Sequence, residues 1–472
     1  MSDILFVYPN ISGYEGVSLG IAYLSSYLKK HGYSTQLFDY TFYKDSDKGT
    51  SVLLDMIKKE KPSLIGFSVI SSTFSFAAKT AELIKKEFDV NIVFGGPHAT
   101  AAPEAVMKRV NDCFVIVNEG EEPLIKLISA IKEGKAPENI EGVCYSNGGE
   151  EIKNNIGIPI QDLDNIPFPD RGIYDFDKYV KSNSGTIVLL TGRGCPFECS
   201  YCINPLLQKQ LENKGKFIRR HSVDYVLDEV TSLKEQYEFK YIDFADDTFT
   251  LSKSWMGEFA KKYKKRFNIP YLANARVENI DEEMIALLKE SNCNQVSMGI
   301  ESGTEEIRKD LLKRRMSDDK IIKSFNLLRK AGIKTISYNI IGLPTERPEH
   351  WMKTVQLNRE ANPDYISASI FQPYPGTGLY DLCKSKGWFN DEECPVHHRG
   401  SEIVVDYDYV TQAEIVKFKR RFRYLVYKKK DFFKALIFLL LDTNYNMYFR
   451  IRRGIPIPIK KFLRILVNLI KR

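Results

Sequence analysis

At 472 residues, with 43% hydrophobic and 27% charged side chains, the chain is too long for one ordinary domain and too apolar to be disordered, so two or three packed domains are expected. It opens Met-Ser-Asp-Ile-Leu-Phe-Val-Tyr, and five of its eight cysteines, Cys113, Cys144, Cys293, Cys383 and Cys394, lack the spacing of a disulfide framework; no secretory signal is legible and a reducing, cytoplasmic setting is expected. The net charge of +7 is uneven: residues 411–472 hold 17 Lys and Arg against 3 Asp and Glu, leaving −7 on residues 1–410, so the basic end calls for an anionic partner.

Residues 1–140 alternate strand and helix signals. Apolar runs at 4–8, 35–38, 64–69, 92–94 and 114–117 suit the strands of a buried parallel sheet. In 18–31, Leu19, Ala22, Tyr23 and Leu28 recur at helical spacing before Lys29, Lys30 and a stop at Gly32. Five such units predict a doubly wound α/β domain, flavodoxin-like or Rossmann-like, with ligands at the carboxyl ends of its strands. The loops there are 9–16, the hydroxyl-rich Ser68, Ser71, Ser72 and Thr73, the run Gly95, Gly96, Pro97 and His98, and Glu119, Gly120 and Glu121. The two adjacent glycines admit a large flat ligand to the backbone, and the hydroxyls suit its amide edge.

With the run Leu-Gly-Ile-Ala-Tyr-Leu at 19–24, these loops resemble the cobalamin-binding domain found ahead of many radical S-adenosylmethionine (SAM) enzymes. The resemblance implies cobalamin contacts from Ser68, Ser71, Ser72, Thr73, Gly95, Gly96, Pro97, His98, Glu119 and Gly120. No histidine precedes His31, so the Asp-x-His-x-x-Gly pattern is missing and loop 9–16 offers none to cobalt. His98 is the alternative, with hydrogen bonding of its own loop as the preferred role. A Rossmann-like fold that no longer binds cobalamin is the competing reading. Residues 141–185 read as a linker: a hairpin around Asn147 and Gly148, then Pro159, Pro167 and Pro169.

From 186 to 390 strand signals recur at 186–190, 241–245, 271–276, 295–300, 335–341 and 365–371, with helices between. Six units are too few for a closed eight-stranded barrel and predict a partial, TIM-like (β/α)6 barrel with its chemistry at the carboxyl strand ends. The first of those ends carries Cys195, Cys199 and Cys202 in the run Thr-Gly-Arg-Gly-Cys-Pro-Phe-Glu-Cys-Ser-Tyr-Cys at 191–202. Three thiolates on one loop suit three irons of a 4Fe-4S cluster and leave the fourth open; a zinc knuckle needs a fourth ligand, and none lies nearby before His221. The C-x3-C-x2-C pattern, with an aromatic before its last cysteine, resembles the radical SAM superfamily.

That resemblance carries further residues. It implies that Tyr201 shields the cluster or stacks on adenine, that Glu301 with Ser302 meets the ribose or amino group, that Arg314 or Arg315 pairs with the SAM carboxylate, that Gly342 backs adenine, and that Arg276, which closes the third strand, contacts SAM. Asp246 and Asp247 are expected to contact the amino group of SAM or the substrate, with Tyr374, in the run Gln-Pro-Tyr-Pro at 372–375, beside them as catalytic candidates. The implied cofactors are a 4Fe-4S cluster, SAM and cobalamin, and the implied reductant is a flavodoxin or ferredoxin. The implied reaction modifies an unactivated carbon, by methyl transfer or, alternatively, by oxidation or ring closure; a non-catalytic cluster or cobalamin sensor is the third reading.

Residues 391–472 are expected to form a helical, basic region. In 459–472, Lys460, Lys461, Arg464, Asn468 and Lys471 share one helical face, and Phe462, Leu463, Leu466, Leu469 and Ile470 the other; 432–441 is a second apolar run. Neither reaches the ~20 residues that span a bilayer. The competing expectations are peripheral contact with the inner face of the cell membrane, which favours a lipid-like small-molecule substrate, and a lid packed on the barrel. Nucleic acid is not expected, because long aliphatic runs interrupt the basic residues.

Overall fold

The computed structural model describes residues 2–11, 15–43, 45–147, 150–390 and 402–443. The chain divides into two compact units, Met1–Val296 with Pro373–Val396, and Ser297–Gln372 with His397–Arg472.

The first unit opens with strands β1 (Ile4–Tyr8), β2 (Thr35–Asp39), β3 (Leu64–Ser68), β4 (Asn91–Gly95) and β5 (Phe114–Ile116). They pair in parallel in the order β2-β1-β3-β4-β5. Alternation assigns their side chains to two cores. Leu5, Val7, Ile65, Phe67, Ile92 and Phe94 pack with residues of helices Ser46–Glu60 and Ser71–Glu87, whereas Ile4, Phe6, Leu64 and Val93 pack with helices Leu19–Lys30 and Glu121–Lys132. Both faces are therefore covered, which is why the strands read as continuous apolar runs. The order reverses between β1 and β3, so residues 9–11 and 69–70 leave the switch point where doubly wound sheets bind ligands.

The expected linker hairpin is part of this sheet. Strands β6 (Val143–Asn147) and β7 (Glu150–Lys153) extend it antiparallel beyond β5, giving seven strands where five were expected. Val143 and Tyr145 complete one core and Cys144 the other, so burial of a half-apolar hairpin fixes its place.

Next come β8 (Thr186–Leu189), the short antiparallel pair β9 (Gly192–Arg193) and β10 (Arg219–Arg220), then β11 (Tyr241–Phe244) and β12 (Tyr271–Ala275). β8, β11 and β12 are parallel neighbours. Phe244, Phe249, Phe259, Tyr263 and Tyr271 pack edge to face beneath them. β13 (Cys293–Glu301) passes from the first unit into the second, which adds the parallel pair β14 (Lys334–Ile341) and β15 (Tyr365–Ile370). The six-stranded order β15-β14-β13-β12-β11-β8 is the partial barrel expected from the sequence.

In the second unit, helix Gln412–Tyr427 starts with a reciprocal Thr411 and Glu414 cap and packs on helices Pro348–Ala361 and Phe432–Thr443. The amphipathic run 459–472 lies outside the described residues.

Candidate functional site

The loop after β8 is fixed by its neighbours. Thr191 donates from its backbone nitrogen to the Asp246 carboxylate at 3.1 and 3.2 Å and from Oγ1 at 2.7 Å. Arg220 lies 3.8 Å from the same carboxylate. Asp246 is buried, and burial raises its pKa. Its oxygens thus tie the second strand end to the start of the cysteine loop, a different position from the contact with SAM or substrate expected of it. Asp247 is exposed and accepts from Asn204 Nδ2 at 3.0 Å.

Each cysteine sulfur has a polar side chain beside it. Thr248 Oγ1 lies 3.7 Å from Cys195 Sγ, Asn204 Nδ2 lies 3.4 Å from Cys202 Sγ, and Arg276 Nη1 lies 3.0 Å from Cys199 Sγ. Burial pushes the Cys195 and Cys202 thiols above the ordinary range; bound iron reverses that preference by stabilising the thiolate. Among the described residues no three His, Cys, Asp or Glu side chains converge as the ligands of a single ion do. A cluster asks instead for one thiolate per iron, and three thiols with donors aimed at their sulfurs fit it. Cys113 and Cys293 are lone core thiols, pushed by burial to about 12, and Cys394 lies outside the described residues.

The N-terminal loops meet the same unit. Arg193 donates to Glu119 at 2.7 Å and to Glu121 at 2.6 Å, and Arg219 donates to Glu119 and to the Ile160 carbonyl. Glu119 was expected at cobalamin; its carboxylate is held by these two guanidiniums, which keep its pKa low against the effect of burial. His98 is 3% exposed, stacks on Phe74 at 4.3 Å and hydrogen-bonds Ser71 Oγ through Nδ1 at 3.0 Å. Burial lowers its pKa to about 4 and Nε2 has no partner among the described residues. Thr73 is occupied with Ile70 at the start of its helix. Gly96 has φ +97°, and a Cβ there would meet the Val69 carbonyl at 2.8 Å, so its bareness serves the chain's own turn; Gly95 has nothing within 4 Å of that position. Gly95, with half-buried Ser68, Ser71, Ser72 and Gly120 and exposed Pro97, leaves an open, hydroxyl-bearing edge at the carboxyl strand ends, which suits a large amide-rimmed ligand. Tyr201 and Tyr374 are half-buried.

In the second unit, Glu301 ends β13 with φ +65°, a left-handed conformation that costs a non-glycine residue on the order of 1 kcal/mol. A side chain at Gly299 would collide with Glu301 Oε1 and approach Arg314, whose Nη2 donates to the Gly299 carbonyl at 2.7 Å. Glu301 and Arg314 are therefore brought together and buried, whereas Arg315 is exposed. Ser302 Oγ donates to Glu346 at 2.8 Å, and the Gly342 carbonyl accepts from Tyr407 at 3.0 Å. Glu346 is 1% exposed, with its pKa pushed by burial to about 7.

Glu346, Asn204, Thr248 and Arg193 were not picked out from the sequence. Arg193 and Asn204, two residues before the first and two after the last cysteine, carried the only local hint.

Residues 189–357 match the Radical SAM superfamily and residues 10–128 the B12 binding domain. Over 376 residues the chain is 31% identical to an uncharacterized methyltransferase of Pyrococcus horikoshii, covering 79% of each. It is 28% identical over 397 residues to the anaerobic magnesium-protoporphyrin IX monomethyl ester cyclase of Rubrivivax gelatinosus, covering 80% of this chain and 69% of the cyclase. Its fold is similar to that of the radical S-adenosylmethionine methyltransferase TsrM from Kitasatospora setae, solved with cobalamin and a 4Fe-4S cluster, with a TM-score of 0.67 at 20% identity over 82% of this chain and 79% of that one.

Proposed function

The chain belongs to the radical SAM superfamily, with a B12-binding domain ahead of the radical SAM domain, and from that premise we propose that it is a cobalamin-dependent methyltransferase acting on an unactivated carbon of a small, hydrophobic molecule. The observation that carries the reading is the cysteine loop with a polar partner on each sulfur, in one chain with a B12-binding domain. Cys195, Cys199 and Cys202 would hold the cluster. Ser68, Ser71, Ser72 and Gly95 would face cobalamin, with Gly96, Pro97, His98, Glu119 and Gly120 shaping the loops around it. Glu301, Ser302, Arg314 and Gly342 are assigned to SAM, and Tyr201 to shielding the cluster.

When bound, these cofactors would supply one-electron reduction, radical hydrogen abstraction and the methyl group. The chain's own part is placement and exclusion of water. Asp246 and Thr191 hold the cysteine loop, and Glu119, Glu121, Arg193 and Arg219 fasten that loop to the N-terminal domain. Oxidative ring closure is the second reading, favoured by the 28% identity to a cyclase.

The lipid-like substrate rests on the C-terminal region. Lys428, Lys429 and Lys430 are exposed beside Phe432 and Phe433, which are 54% and 77% exposed, a basic and aromatic combination suited to an anionic interface. Among the described residues no helix is long and apolar enough to cross a membrane. The test is an anaerobic assay with SAM, cobalamin and reduced flavodoxin, reading 5′-deoxyadenosine. Its release supports the enzymatic reading, and its absence from fully reconstituted protein overturns it.

A further inference from the structure

The side-chain groups at the cysteine sulfurs are not equivalent. Thr248 offers a hydroxyl at 3.7 Å and Asn204 an amide at 3.4 Å, whereas Arg276 brings a cation to 3.0 Å from Cys199 Sγ. The guanidinium is fixed on its other sides. Its Nε lies 3.3 Å from Glu278 Oε2, its Nη2 donates to Glu278 Oε1, and its plane sits 3.8 Å from the centre of the Phe197 ring, on the cysteine loop itself. The side chain is 7% exposed. A planar fork clamped in this way cannot turn from the sulfur without losing the carboxylate pair and the ring contact.

We infer that Arg276 is a positioning residue that acts through Cys199, holding that ligand and raising the reduction potential of the cluster, with Glu278 as the counter-charge that limits the effect. The inference rests on the reading of the cysteine loop as a 4Fe-4S site. Reduction adds negative charge that is shared with the ligand sulfurs, so a donor and a positive charge at one sulfur favour the reduced state. A neighbouring carboxylate opposes this. The two side chains must then shift the potential in opposite directions, which loss of packing alone does not do. Placement at SAM was the expectation for Arg276; contact with the ligand sulfur gives the same residue a different task.

The test is a dithionite redox titration, without SAM, of the full-length, anaerobically reconstituted protein, followed by paramagnetic resonance of the reduced cluster. Arg276→Gln is expected to lower the midpoint potential, Arg276→Lys to lower it less because the charge is kept, and Glu278→Gln to raise it, all at the iron content of the unsubstituted protein. If Arg276→Gln fails to load iron, Arg276→Lys and Glu278→Gln still carry the opposed signs. Potentials that stay at the unsubstituted value, or shift in one direction in both the Arg276 and Glu278 variants, overturn the inference. An unsubstituted protein that assembles no such cluster overturns the parent reading instead.

Discussion

Arg193 Nη1 donates to Glu119 Oε2 at 2.7 Å, so a side chain two residues before the first cysteine of the cluster loop is held by the loop that follows the fifth strand of the N-terminal domain. Glu121 and Arg219 complete a two-by-two charge cluster in which Glu121 and Arg219 are almost wholly buried, at 4% and 2%. Paired in this way the charges are tolerated; unpaired they are not.

Glu121→Ala should therefore destabilise the protein by about 2–3 kcal/mol, below the full effect of stranding a buried charge because Arg193 keeps Glu119. Denaturant unfolding measures the stability, and iron content after anaerobic reconstitution should fall with it if the N-terminal domain steadies the cysteine loop.

Two buried histidines make the fold acid-sensitive. Burial lowers both His98 and His221 to about 4, the latter despite the opposing pull of Asp164. Their pKa values are depressed relative to the unfolded value near 6.5, so the stability they contribute is complete above about pH 6.5 and is lost as pH falls toward 4. Each accounts for on the order of 3 kcal/mol across that window. Unfolding measured at pH 7 and pH 4.5 should show the loss, and His98→Gln should lessen it.

His98 is 3% exposed, with Nε2 buried and the ring against Phe74, so its burial is expected to keep the imidazole from a bound cobalt. Paramagnetic resonance of the cobalt(II) form is expected to lack nitrogen hyperfine splitting. Splitting that disappears in His98→Ala would assign the ligand to His98 and reject this placement.

The strands and the cysteine loop were legible in the sequence because both are local: burial on two faces writes itself as apolar runs, and three thiols on one loop need only spacing. The hairpin of β6 and β7 was legible as a hairpin, but its pairing with β5 was not, since the choice of a sheet edge depends on residues distant in sequence. The roles of Thr248 and Arg276 as sulfur partners were hidden for the same reason. Thr248 follows β11 and Arg276 follows β12, and only strand register brings them to the cysteines. Asp246 was assigned to SAM or substrate through the family resemblance of its acidic run, yet its carboxylate is folded back onto Thr191, a contact between two strand ends that a local run does not reveal. Glu346 was missed because a glutamate in a Pro-Thr-Glu turn reads as solvated, whereas its carboxylate is buried against Ser302 and the Leu343 amide.

The basic end of the chain gives a separate prediction. Each Lys or Arg near an anionic surface contributes on the order of 1 kcal/mol, and the sequence of residues 459–472 alternates such residues with apolar ones at helical spacing. Removing residues 456–472 should release the protein from anionic vesicles in a flotation assay at low salt and leave iron content unchanged. Full-length protein that does not float with the vesicles would remove the support for a lipid-like substrate.

The central claim, that Cys195, Cys199 and Cys202 hold the cluster on which the activity depends, is tested most directly by iron analysis of the full-length protein and its triple alanine variant after anaerobic reconstitution. The account predicts about four irons per chain in the first and essentially none in the second, with a Cys113→Ala control unchanged. About four irons per chain in the triple variant would contradict it.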